Sequence, residues 1–557
     1  MTSADRPSYA IFYVEDAYSF RENVMGRQSA GIGFLRAMAA TQPKRIWCYA
    51  SKPERARTFR EDLAAAGAPA TEVAFVPFVD PHRLAEPGLL YRPDPNIVEN
   101  AWARLRAASP RAYSLCGVTH TTASHGAMTM LTDLLTAPVE SWDALVCTSR
   151  AVRDSARTLI ERQAEYLRER LGATRLSLPQ MPVIPLGVHA QDYAGLRAER
   201  EPARSALGIG ADRIVVLFVG RLSFHAKAHP LPMYLGLEAA ARHAPITLVQ
   251  AGWFANESIE RAFREDAARL CPSVEYRVVD GRDPAALRQA WASADIFTSL
   301  SDGIQETFGL TPIEAMAAGL PVVVSDWDGY RDTVRDGIDG FRVATLAPQA
   351  GQGGDLADLF SDGATTYDLY CGQAGQFVAV DVEAAGRAYT ALATDADLRR
   401  RMGEAGRARA AAQFDWAEIF RRYQDLWMDL AERRRSAPDL APALSRRRRP
   451  DREDPFTVFA SYPTHPLRDA TEFRRRPGAA ETAKAGPGLA TVSFAAAVLP
   501  GPDFVAALLA LLPEGAWVSA GEIAAAMPRK SPVAVARTLA WLAKIGAVDF
   551  RAGPGPA

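Results

Sequence analysis

Cysteine is scarce in this chain of 557 residues: Cys48, Cys116, Cys147, Cys271 and Cys371 are scattered, odd in number and free of any CxxC spacing. No disulfide framework and no metal site follow from that pattern, and three of the five sit in strand-like apolar runs, so they read as reduced core thiols. Excess charge is lacking too. With 64 Lys and Arg against 65 Asp and Glu the formal net charge is −1, which gives no global attraction to nucleic acid or to an anionic membrane. Long apolar runs are missing, since the stretch near FVAALLALL falls far short of the ~20 residues that span a bilayer. The opening MTSADRPSYA has neither the basic nor the apolar region of a signal peptide. These absences predict a cytoplasmic protein. What the chain does have is length and 48% hydrophobic residues, enough for about three to four domain-sized units.

From Tyr9 to about Gly187, strand-like runs alternate with helical ones: YAIFYVE, RIWCYA, TEVAFVPF, AYSLCGVTH, ALVCTS and MPVIPLG. A second series runs through IVVLFVGR, ITLVQAG, VEYRVVD, DIFTSL and LPVVVSD. Such alternation predicts parallel sheets with crossover helices. Two Rossmann-like domains are expected, residues 1–205 and 206–415, joined through the polar segment from Val188 to Asp212. Ligands of open sheets bind at the carboxyl ends of the strands, so a cleft between the domains would gather loops from both. In MGRQSAGIGFLRAMAA, Gly26, Gly31 and Gly33 lie in a loop leading to a helix, where glycine permits close backbone approach to a ligand. The G-x-G-x-x-G fingerprint is incomplete, because Arg36 stands three positions after Gly33. With no acidic residue placed at the end of the second strand, a dinucleotide-dependent oxidoreductase is disfavoured.

The densest chemistry lies from Ser301 to Val334, SDGIQETFGLTPIEAMAAGLPVVVSDWDGYRDTV, where Glu306 and Glu314 stand eight positions apart around a turn into a helix. Thr311 reads as the N-cap, Pro312 suits the first turn and Gly319 the C-terminal stop, so backbone N–H groups here are free to face an anion. A capping box between Thr311 and Glu314 is the plain alternative. Upstream, LFVGRLSFHAKAHP places Arg221 at a strand end and Lys227 just before a helix. Two cations there suit a pyrophosphate and the charge that grows on it as a bond to phosphate breaks, with a solvated basic loop as the alternative for Lys227. His225 and His229 flank Lys227 at i,i+4 spacing but lack a third ligand for zinc. Asp326 and Asp328, in DWD, follow a buried strand and lead into a glycine loop, and are read as capping and loop structure rather than as metal ligands.

Glu306, Phe308, Gly309, Glu314, Ala315, Gly319, Pro321, Val322 and Gly329 together resemble the E-x7-E signature of the retaining, group 1 (family 4) glycosyltransferases, and Arg221 with Lys227 resembles that family's G-R-L-(x)n-K element, one residue longer than its commonest form. The resemblance covers roughly residues 9–433. It implies an α/β fold of GT-B architecture, two Rossmann-like domains facing a cleft. It also implies transfer of a sugar, with retention, from a nucleotide-diphosphate sugar to a hydroxyl of a saccharide, lipid or protein, with no cofactor and no metal. Glu314 then holds the ribose hydroxyls, while Thr307, Phe308, Gly309 and Leu310 lie with it on the donor side. Glu306 contacts the transferred sugar and His120, in GVTHTTAS, stands beside it; Arg221, Lys227, Glu306 and His120 form the catalytic set. Gly31 and Gly33 border the donor phosphate and the acceptor. A core or loop-capping role is the alternative for His120. The alternative for the whole chain is a catalytically idle scaffold or nucleotide-sugar sensor.

Beyond Arg342 the family pattern loosens into an insertion, APQAGQGGDLADLFSDGATTYDLYCGQAGQFVAV, of a length that is commonly functional or mobile. Closing helices resume near Asp397, the last of them, 416–435, returning to the first domain. Residues 436–502, with SRRRRPDRED, read as a Pro/Arg-rich linker whose Arg446 to Arg449 suggest a solvated spacer or an attraction to anionic lipid. A unit at 503–551 has helices capped at Ser519 and Ser531 and a final short strand, an order resembling a winged helix-turn-helix. Its few cations do not suit nucleic acid, so a protein partner or peripheral membrane attachment is expected of it.

Overall fold

A computed structural model describes residues 8–18, 26–225, 227–438 and 448–553. The extreme N-terminus and Arg446 and Arg447, on which two of the expectations above fall, lie outside the described residues. The chain divides into two compact units, 1–449 and 450–557.

The first unit contains two six-stranded parallel sheets. One is built from β1 (Ala10–Phe12), β2 (Arg45–Ala50), β3 (Glu72–Pro77), β4 (Leu89–Tyr91), β5 (Ser114–Val118) and β6 (Ala144–Val146), in the order β3-β2-β1-β4-β5-β6. The other is built from β7 (Ile214–Val219), β8 (Ile246–Gly252), β9 (Glu275–Asp280), β10 (Ile296–Ser299), β11 (Val322–Ser325) and β12 (Gly340–Val343), in the order β12-β11-β10-β7-β8-β9. Counted within its own half, each sheet has the same sequence of neighbours. Helices cover both faces, so the central strands are buried on both sides and read as continuous apolar runs; every residue of β8 is buried. The structure shows two Rossmann-like halves fitting the GT-B arrangement.

Two strands of these six-stranded sheets escaped sequence reading. β4 is only Leu-Leu-Tyr between glycine and proline segments, and β12 is an edge strand with Arg342 in its middle. MPVIPLG, expected as a strand, instead touches β6 through isolated bridges at Gln180 and Val183, because its prolines cannot donate to a ladder. The boundary between the halves also falls earlier than 205. Val188, Leu196 and Ala203 pack into the second core, and Arg200 and Arg204 both pair with Asp295 beside β10.

The chain crosses between the halves twice, at Gly187–His189 and again after the π-helical turn Ala410–Phe414. These crossings lie side by side: the N–H of Val188 donates to Phe414 O at 2.8 Å and the N–H of Trp416 donates to Val188 O at 3.0 Å. The helix Trp416–Ser436 then buries Trp416, Ile419, Phe420, Tyr423, Trp427 and Leu430 in the first core. Arg111 donates to the carbonyl oxygens of Ala437 and Pro438 just beyond it.

The second unit has its own apolar core. The sheet β16-β15-β17 comprises β15 (Glu472–Arg475), β16 (Val518–Ser519) and β17 (Val548–Arg551), with β15 antiparallel to both neighbours. The assignment of 436–502 as linker is therefore corrected, because Phe473 is buried at the centre of this sheet. Ser519 forms a capping box with Glu522, and Ser531 caps the helix Pro532–Lys544. No helix among the described residues is long and apolar enough to cross a membrane.

Candidate functional site

The strand order reverses between β7 and β10, and the loops that leave the carboxyl ends of those two strands diverge around a crevice. The first of these loops carries Arg221 and Lys227, the second Glu306. They are tied together: Ser301 Oγ donates to Lys227 O at 3.3 Å, and the N–H of His229 donates to Asp302 Oδ1 at 3.2 Å. Lys227 Nζ lies 3.3 Å from Glu306 Oε2, with the glutamate side chain 13% exposed. Burial alone would raise the Glu306 carboxyl, but the Lys227 charge and the N–H groups of Thr307 and Phe308 outweigh it and hold the group below its ordinary value. Glu306 is thus an anion in a partly dry crevice, and Lys227 is the cation poised beside it.

Thr311 is not the N-cap. The helix runs Leu310–Ala317, and its N-cap is Gly309, at φ +78° with no side-chain cap. Glycine is required there for a second reason, because a Cβ would lie 1.9 Å from Cε1 of Tyr330. The capping-box reading of Glu314 falls with this geometry. Its carboxyl instead takes a hydrogen bond from the Tyr193 hydroxyl, and burial, against that bond, pushes it up to about 7. The uncapped N–H groups at Leu310 and Thr311 leave a partial positive charge at the helix start. At the other end Gly319, at φ +79°, closes the helix, its N–H donating to Met316 O and that of Leu320 to Ala315 O. Phe308 is buried in the second core, whereas Thr307 and Leu310 stay partly exposed.

Asp326 and Asp328 are not alike. Asp326 lies 3.3 Å from Arg342. Asp328, at φ +44°, accepts from Ser149 Oγ across the cleft at 3.2 Å. Burial and the nearby Glu306 charge push the Asp328 carboxyl up to about 8. The neighbouring Gly329 has no room for a side chain, since a Cβ would meet Phe308 Cα at 2.5 Å. This contact presses the DWD loop against the Glu306 loop. Asp332 accepts from both the N–H and the Nε of Arg150, each at 2.7 Å, so the start of the helix Arg150–Leu171 docks on the second half.

From the first half, His120 Nε2 sits 2.8 Å from Pro93 O, and its ring borders a small apolar cavity with Gly31, Tyr91 and Trp416. Gly31 and Gly33 are not in a loop. Both lie inside the helix Gly26–Ala40, and the room a side chain would need is taken by protein: Ala17 O at 1.9 Å for Gly31 and Trp416 Nε1 at 2.1 Å for Gly33. Tight packing accounts for these glycines, and it leaves Gly33 against the closing helix rather than open to a donor.

Residues 199–362 match the family model described as glycosyl transferases group 1. The match lies within the second half and ends inside the helical insertion. That segment contains Arg221, Lys227, Glu306 and Glu314. A D-inositol 3-phosphate glycosyltransferase of Nocardia farcinica is 31% identical over 185 residues, 32% of this chain and 39% of that protein. One from Corynebacterium urealyticum is 34% identical over 192 residues, 33% of this chain and 43% of that protein. The chain thus spans about two fifths of the length of these curated relatives. The crystal structure of Anabaena Alr3699/HepE in complex with UDP and glucose superposes with a TM-score of 0.50 at 17% identity, covering 76% of this chain and 100% of that one. It shows a shared fold.

Sequence reading did not identify Tyr193, Ser149, Tyr367 or the role of Asp328. Each makes its contact across a large sequence separation, which no short motif, the DWD triplet of Asp328 included, reports.

Proposed function

We propose that this protein is a metal-independent, retaining glycosyltransferase that moves a sugar from a nucleotide-diphosphate sugar to a hydroxyl acceptor. The observation that carries this reading is the pairing of Lys227 with Glu306 where the strand order reverses, with Arg221 on the same loop and the uncapped helix start beyond. A donor diphosphate would take Lys227 away from Glu306 and engage Arg221 and the helix N–H groups. Glu306 would then meet the sugar, and Glu314, half-buried beside Tyr193, the ribose. In the front-face course usual for retaining members of the group, the bond from the anomeric carbon to the phosphate oxygen breaks. The acceptor oxygen bonds to that carbon from the same side, and its proton passes to the leaving phosphate. No protein nucleophile is required. The positive potential that a metal supplies elsewhere would come from Arg221, Lys227 and the helix start, with His120 beside the sugar from the first half.

The test is a thermal-shift panel of UDP, GDP, ADP and CMP and their sugars, followed by NMR of the product. A ligand at ~100 times its dissociation constant should stabilise the fold by roughly 2.7 kcal/mol. The expected product retains the anomeric configuration, and EDTA leaves the rate unchanged. No stabilisation by any nucleotide would overturn the donor assignment, inversion would overturn the retaining course, and loss of the rate in EDTA would overturn metal independence. The second unit has a helix and strand order resembling a winged helix, and we assign it a role in protein or membrane attachment, with no part in the chemistry.

A further inference from the structure

The insertion after Arg342 folds into two helices, Gly354–Ser361 and Tyr367–Gly375, held at their base by β13 (Thr345–Leu346) paired with β14 (Ala379–Val380). It belongs to the second half by sequence, yet it reaches the first. Tyr367 OH lies 2.9 Å from Thr121 Oγ1, next to His120. Phe360 stacks on His125 with ring centroids 3.7 Å apart and on Tyr370 at 4.3 Å. The other end of the second helix rests on the donor loops: a Cβ on Gly372 would meet His225 Cβ at 2.8 Å, and Cys371 feels both Tyr367 and the Arg221 charge. One helix therefore spans from the loop of Arg221 and Lys227 to the loop of His120. Tyr367 is only half-buried on that span, with a hydroxyl able both to donate and to accept.

We propose that this helical pair is the acceptor-side gate of the transferase and that Tyr367 is the specificity-determining residue that meets the incoming hydroxyl compound. The inference rests on the transferase reading given above. An acceptor approaching a sugar held between Glu306 and His120 must pass the span that joins their two loops, and the hydroxyl of Tyr367 is exchanged from Thr121 to the acceptor as it does so. Phe360, clasped on His125, keeps the gate shut against water while the donor waits.

The partition of donor sugar between water and added glycerol in one reaction tests this without knowledge of the natural acceptor, because the product ratio is independent of donor binding. Tyr367→Phe and Phe360→Ala should each change the glycerol-to-water ratio at least threefold, while the nucleoside diphosphate Kd stays within twofold of the wild type. Phe360→Leu, which keeps apolar bulk, should lie between Phe360→Ala and the wild type. An unchanged ratio in both variants overturns the gate while leaving the transferase reading intact. A fall in Tm with a weakened nucleotide Kd in both variants overturns it too, showing the insertion to be a prop for the donor loops. A wild-type protein that consumes no nucleotide sugar overturns the function itself.

Discussion

The two halves of the first unit share one strand order and differ in what their crevices hold. In the second half, the loops after β7 and β10 bring Lys227 and Glu306 together, Arg221 stands on the first of those loops, and Glu314 follows on the adjoining helix. In the first half the equivalent positions after β1 and β4 lead into aromatic packing. Arg92, after β4, is spent on Asp94 and Asn100 and lies over the Phe12 ring at 3.9 Å. The same fold thus supports a charged, polar crevice on one side and an apolar wall on the other. Function resides in the loops grafted on the strand ends rather than in the sheet.

The largest expected effect tests that asymmetry directly. On the proposed transferase reading, Arg221→Ala should lower transfer by on the order of 10²–10³ while leaving nucleoside binding nearly intact, because its partner charge would grow on the leaving diphosphate. Arg92→Ala should change transfer by less than about threefold once loss of stability is allowed for. Equal losses in steady-state kinetics would break the contrast between the halves. Glycine substitutions sharpen it. Gly329→Ala and Gly33→Ala both force a Cβ into occupied space and should each cost about 3 kcal/mol in denaturant melts, at the upper end for overpacking. The first should also abolish nucleotide binding through the displaced Phe308 loop, whereas the second should spare it.

Glu314→Ala should weaken nucleotide binding by about tenfold or more, since a hydrogen bond to a charged group is worth roughly 1.5–3 kcal/mol. Glu306→Ala should act mainly on the sugar-dependent part of affinity, so calorimetry with a nucleoside diphosphate and its sugar separates the two. The smallest effect concerns pH. Folding raises Glu314 and Asp302 to about 7 and Asp328 to about 8, in each case chiefly by burial. The folded chain therefore keeps protons that the unfolded chain has released. This contribution to stability is full below about pH 4, drains away as pH rises and is spent above about 8. The Tm of the ligand-free protein should fall between pH 5 and 8, and less steeply with Glu314→Gln and Asp328→Asn together; equal slopes would show that other groups govern it.

The motif from Glu306 to Gly329 was legible because its residues are close in sequence: Glu306, Gly309, Glu314, Gly319 and Gly329 report local turns and caps, and the buried parallel strands around them announce themselves as apolar runs. The partners of those residues were not. Tyr193 reaches Glu314 from far upstream once the second core has formed, Ser149 reaches Asp328 only where the halves meet, and no local periodicity encodes either meeting. Thr311 misled for an instructive reason: a good capping residue yields to Gly309, whose positive φ the turn against Tyr330 demands. β15 hid inside an arginine-rich, proline-flanked stretch, where only Phe473 points to the core.

The paired crossings at Val188 and Trp416 have a mechanical meaning. Two connections set apart would brace the halves against any swing; two laid side by side and hydrogen-bonded to each other form one axle. The relative position of the halves then reduces to a single angle, and one pair of distance labels across the cleft is enough to read it.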